Sequence, residues 1–132
     1  MTVTVATMFI TVLDTEATLG FYRDALGLGV RHDVRNGGFR WVTLTSSGQG
    51  LDIVLSQPHG DRAPDDGDAL LGLVTRGSID AAIFRTDDLT ATFDRLAASG
   101  AEVLERATDQ LWGVRDCAFR DPSGNLVRIE QA

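Results

Sequence analysis

A chain of 132 residues supports one compact domain and is too short for a multidomain assembly. Its composition, 43% apolar and 23% charged, is that of a folded chain rather than a disordered one. Twelve basic against 19 acidic residues give a net charge of −7, whose field repels phosphate backbones and anionic lipid, so nucleic acid and membrane are not expected partners.

Residues 3–13, VTVATMFITVL, are β-branched and alternate toward their end. They predict a strand with Met8, Ile10 and Val12 on one face and Thr7, Phe9 and Thr11 on the other. Asp14 or Thr15 can cap a helix over residues 15–26, in which Leu19, Tyr22 and Leu26 share a face and Gly27 closes the end. Strand-like runs follow at 28–35, 39–46 and 51–57, the last two separated by SSGQG, whose glycines permit a tight hairpin. Residues 58–77 read as a connector: Pro58, Pro64 and the four aspartates within 61–68 suggest a solvated stretch, and Ala69 to Arg76 could form a short helix.

A second strand–helix unit begins with AAIFRT at Ala81. Asp87-Asp88 can cap a helix that presents Leu89, Phe93 and Leu96 before Gly100 ends it. Runs at 101–105, 114–120 and 125–131 complete the unit, with Asp121-Pro122-Ser123-Gly124-Asn125 as the last turn. Both halves thus read β-α-β-β-β. A shift of 73 or 74 lays Asp14 on Asp87 or Asp88, Gly27 on Gly100 and Gly50 on Gly124, which identifies a diverged internal repeat with modules at 1–57 and 78–132.

The chemistry available is narrow. Every basic residue is arginine, so lysine Schiff-base chemistry and a phosphate loop ending in GK[ST] are excluded. Cys117 is the sole cysteine and reads as a small core residue; it permits no internal disulfide and no zinc site built from several thiolates. The start, MTVTVATMFITVLD, lacks a basic flank and a cleavage site, and the expected location is a reducing cytoplasm. The two histidines, His32 in a strand and His59 in the connector, read as surface side chains.

With FYRDALGLGV after the first strand and FRDPSGNLVRIEQ closing the chain, the paired βαβββ pattern resembles the vicinal oxygen chelate superfamily. That superfamily includes glyoxalase I, extradiol dioxygenases, fosfomycin-resistance enzymes and bleomycin-resistance proteins. The resemblance implies an α+β fold whose two modules curl into a half-open barrel cleft, and a homodimer, since members commonly complete their clefts at a subunit interface. It also implies where a metal would sit: at the start of the first strand and in the last strand of each module, on His, Gln or Glu. Carried residue by residue, those positions are Thr7, Val54, Ala81 and Arg128, none of them a metal ligand, so no metal and no cofactor is expected. A slip of two would bring Asp52 and Glu130, leaving an oxygen-only magnesium or manganese site open.

Alternation around Val54 sends Asp52 and Ser56 to the cleft, and Leu51, Ile53 and Leu55 toward the helices. Leu126, Arg128 and Glu130 face the cleft from the other module, with Val127 and Ile129 packed behind, and Phe9, Thr11, Ile83, Trp41 and Thr43 join them. In the segment DQLWGVRDC, Trp112 can stack on a planar ligand at the rim, and Arg115 can either hold a carboxylate or phosphate or pair with Asp116. Arg128 is either free or paired with Asp52 or Glu130. The expected ligand is a small, planar or aromatic organic molecule, met by Phe9, Phe39, Trp41, Asp52, Val54, Trp112, Arg115 and Arg128. Three functions fit: metal-free sequestration of a drug or metabolite, a metal-dependent lyase, isomerase or dioxygenase, and a metal-free enzyme using Asp52 or Glu130 as acid and base.

Overall fold

The computed structural model describes residues 1–46 and 50–132. The described strands form two four-stranded mixed sheets. The first holds β1 (Thr7–Thr11), β2 (Gly29–Asn36), β3 (Phe39–Thr45) and β4 (Asp52–Ser56) in the order β1-β4-β3-β2. The second repeats it with β5 (Asp80–Thr86), β6 (Glu102–Asp109), β7 (Arg115–Arg120) and β8 (Leu126–Gln131) in the order β5-β8-β7-β6. In each, the first and last strands run parallel and the other pairs antiparallel. The repeat is realised in register: Phe9 pairs with Val54 and Ile83 with Arg128, so both members of the pair move by 74.

Helix α1 (Thr15–Leu19) is capped by Asp14, whose carboxylate accepts the Ala17 N–H at 3.1 Å, and it runs on through a π-helical stretch, Gly20–Ala25. Helix α3 (Leu89–Ala98) is capped in the same way by Asp88. Helix α2 (Pro64–Thr75) starts earlier than the sequence suggests. Proline is favoured at a first helical turn, and Asp65 and Asp66 meet the positive end of the helix dipole, so the aspartate-rich stretch read as connector opens the helix.

One apolar core serves both sheets. Ile10, Val12, Val42, Leu44, Ile53 and Leu55 of the first sheet join Cys117, Phe119, Val127 and Ile129 of the second around Leu19, Phe21, Tyr22, Leu89 and Leu96 from the helical segments. Cys117 is a core residue, as its strand position predicts. The Asp121–Asn125 turn pins the seam. Asp121 accepts the N–H groups of Ser123, Gly124 and Asn125 on one carboxylate oxygen, and the Tyr22 hydroxyl at 2.7 Å on the other. The Asn125 amide then donates to the Thr11 carbonyl, and the Ser123 hydroxyl accepts the Leu13 N–H. Gly124 sits at φ +109°, and a Cβ there would lie 2.7 Å from the Val74 carbonyl.

Two strand ends also differ from the sequence reading. The strand expected over 3–13 pairs over Thr7–Thr11, because its partner β4 begins at Asp52, whose N–H donates to the Ala6 carbonyl at 2.9 Å. The strand expected at 101–105 extends to Asp109, carried by pairing with β7. Of the SSGQG turn, residues 47–49 lie outside the described residues. No described helix is long and apolar enough to cross a membrane.

Candidate functional site

Each sheet gives one face to the core, and alternation sends every second side chain to an opposite, open face. On the first sheet, successive Cα pairings place Phe9, Val54, Thr43 and His32 in one transverse row of that face. The corresponding row of the second sheet is Ile83, Arg128, Ala118 and Glu105. Phe9 is 65% exposed and Ile83 66%, so the β1 and β5 ends of the two rows lie open, whereas Ala118 within the second row is buried.

Aromatic surface gathers on the first sheet. Phe39 and Trp41 meet edge to face with their centroids 6.3 Å apart. The Trp41 ring also rests against the connector, where a Cβ on Gly60 would come 3.2 Å from it. Trp41 is therefore half-covered by its own chain, whereas Phe9 beside Val54 stays open. Trp112 is 67% exposed and Leu111 fully so, at the tip of the β6–β7 turn, where Gly113 adopts φ +96°.

The charged candidates are all partnered. The Arg31 guanidinium lies 3.1 Å from the Asp52 carboxylate and also donates to the Thr45 hydroxyl. Arg85 holds Glu130 at 2.8 Å. Arg128 pairs with neither Asp52 nor Glu130: its Nη1 is 3.4 Å from the buried Asp116 carboxylate and 3.6 Å from Glu105. Arg115 pairs with Asp109 at 3.2 Å rather than with Asp116, which lies on the face of Ala118 and Arg128 and is buried against Gln110 and Arg128. The Gln110 amide donates both to Asp116, at 2.8 Å, and to Glu105. Burial and the adjacent Asp116 charge push the Cys117 thiol up to about 11, so it stays protonated at neutral pH and is no nucleophile.

A divalent metal does not fit the residues at the four family positions. Val54 and Ala81 offer no donor atom, Arg128 places a cation there, and Thr7 brings only a hydroxyl. Among the described residues no three His, Cys, Asp or Glu side chains gather as a metal cluster. The carboxylates reached by a slip of two, Asp52 and Glu130, sit on different sheets, each held by an arginine. His59 lies outside the sheets, 2.8 Å from Asp68 of α2.

Arg31, Glu105, Gln110 and Asp116 are absent from the set read off the sequence. Asp116 was within reach of alternation, since buried Cys117 and Phe119 flanking Ala118 fix which strand positions point inward. Glu105 and Gln110 gave no local signal, because their roles arise from partners on other strands.

Comparison with known proteins places this architecture. A family model described as the Glyoxalase/Bleomycin resistance protein/Dioxygenase superfamily matches residues 4–129. The uncharacterized protein YurT of Bacillus subtilis (strain 168) is 28% identical over 133 aligned residues, covering 99% of both chains. Among solved structures, UcmS2 superposes with a TM-score of 0.85 at 24% identity over 98% of both chains. TnmS3, an antibiotic binding protein from Streptomyces sp. CB03234, superposes with a TM-score of 0.76 at 25% identity, over 98% of this chain and 96% of its own.

Proposed function

Since this chain belongs to the Glyoxalase/Bleomycin resistance protein/Dioxygenase superfamily, we propose that it binds a planar, largely apolar organic molecule without a metal, sequestering a drug or metabolite. The observation that carries this reading is Phe9: a large aromatic side chain held 65% exposed midway along the edge strand β1, beside Val54 and on the face bearing Trp41. An apolar side chain so placed favours a stacked or packed ligand over water. The antibiotic-binding neighbour TnmS3 lends support to the same class of role.

The polar groups define the ligand by what they withhold. Arg128 is already engaged by Asp116 and Glu105, and Arg115 by Asp109, so a carboxylate on the ligand gains no free guanidinium from either of these two. Asp52 and Glu130 are tied to arginines, which works against an acid–base role for either. A second copy of the chain is the natural cover for the two open rows, and the reading includes a homodimer with the ligand between faces.

Titration with the neutral planar probe 9-anthracenemethanol tests this, with tryptophan emission as the signal. Saturable quenching is expected, weakened about tenfold or more by Phe9→Ala and by Trp112→Ala, as loss of one stacking face implies. Unchanged affinity in both variants would sink the site. Sedimentation equilibrium should give twice the 14.2 kDa chain mass; a monomer at all concentrations removes the dimer.

A further inference from the structure

Among the described residues, the Gln110 side chain ties the turn carrying Leu111 and Trp112 to the floor of the second sheet. Its backbone closes on itself: the Gln110 N–H donates to the Val114 carbonyl at 2.7 Å, and the Gly113 N–H donates to the Gln110 carbonyl at 3.1 Å. These bonds shape the turn but leave its inclination to the sheet to the two strands beneath it. Those strands pair in register only at Thr108–Asp116 and Asp109–Arg115 next to the turn; farther down, the β6–β7 register shifts between Val103 and Glu105 and again between Glu105 and Thr108. A bulged ladder bends and twists more readily than a regular one. What bridges the irregular stretch is the Gln110 amide, which donates to Glu105 on β6 and to Asp116 on β7. Both carboxylates in turn face Arg128 of β8, so a closed ring of four side chains joins the turn to the open-face row.

We propose that Gln110 is a positioning residue: by clamping the turn to Glu105 and Asp116 it fixes the attitude in which Trp112 meets a planar ligand. An amide suits the place because it gives two hydrogens to two carboxylates without adding a charge; glutamate would add a third negative group, and a hydrocarbon would leave Asp116 short of a donor. Leu111 and Trp112 are exposed to solvent, so neither anchors the turn through packing, and the clamp is the side-chain tether that the geometry provides. Its consequence for binding rests on the stacking reading above, whereas its effect on the turn does not.

The experiment therefore has a readout that needs no ligand. In a Trp41→Phe background, Trp112 is the remaining tryptophan, and its time-resolved anisotropy reports motion of the turn. Gln110→Met keeps side-chain length and removes the donors; it should add a fast depolarising component and weaken 9-anthracenemethanol binding about tenfold. Gln110→Lys, which restores donors to both carboxylates, should return the anisotropy decay to that of the parent and binding to within about threefold. Gln110→Asn, one methylene short, should resemble Gln110→Met, and far-UV circular dichroism verifies that each variant folds. An unchanged decay in Gln110→Met and Gln110→Asn overturns the clamp. If the decay changes but affinity does not, while Trp112→Ala weakens binding, the positioning role is overturned and the stacking site stands. If Trp112→Ala itself leaves affinity unchanged, the stacking reading fails, and the decay alone then judges the clamp.

Discussion

Alkaline pH should destabilise this protein through two identifiable residues. The chain has no lysine and one tyrosine, so between pH 9 and 11 the side chains that lose protons are Cys117 and Tyr22, both in the core. Burial, then Asp116, pushes the Cys117 thiol from its ordinary 9.0 to about 11. Tyr22 is raised well above 10.0, by burial first, then by the negative charge of Asp121 and the hydrogen bond to it. Raised values mean that the native state keeps protons the unfolded chain has released, so stability is complete below the unfolded values and falls as pH rises through the window. Each such proton costs about 1.4 kcal/mol per pH unit. The two units for Cys117 alone make the loss by pH 11 about 3 kcal/mol, a large share of the roughly 5–15 kcal/mol that holds a domain together, and Tyr22 adds to it above pH 10. With a urea dependence of about 1–3 kcal/mol per molar, the midpoint should drop by at least about 1–3 M between pH 8 and pH 11. Cys117→Ala should flatten the limb from pH 9 and Tyr22→Phe the limb from pH 10, each at some cost in stability at neutral pH. A midpoint independent of pH, or a native-state 295 nm absorbance titration centred near 10, would refute the argument.

Asp121→Asn should cost about 3–5 kcal/mol in urea melts at pH 7, because an amide cannot accept from three backbone N–H groups and the Tyr22 hydroxyl at once; a loss under about 1 kcal/mol would mean the turn does not pin the seam. Gly124→Ala combines an unfavourable positive φ with a Cβ 2.7 Å from the Val74 carbonyl, and should destabilise by about 2–3 kcal/mol on the same scale, against little effect from Gly50→Ala, which meets nothing within 4 Å. EDTA dialysis should leave the thermal midpoint within about 1 °C, since the four family positions supply no donor set to link metal with folding; a drop reversed by zinc or manganese would locate ligands elsewhere.

Much of this molecule is determined by local pattern. Period-two stretches ending at glycine turns set the strands, Asp14 and Asp88 set the helix starts, and the spacing between the halves set a repeat whose residues 9 and 83, and 54 and 128, occupy matching places in the sheets. Alternation also sorted Val54 and Arg128 from Ile53, Val127 and Ile129, because a strand's side chains must point one way or the other and the core selects the apolar set. What tertiary structure decided was who meets whom. Arg128 had acidic neighbours to choose among in the chain, and it took Asp116 and Glu105 because β6, β7 and β8 lie side by side. Gln110 became a clamp through a bulged register that no periodicity announces, and Trp41 was half-covered by a connector glycine far along the chain. Periodicity fixes the face a side chain occupies, since it follows from one backbone's geometry; its partner depends on how separate strands are laid together, and that is settled only when the whole core packs.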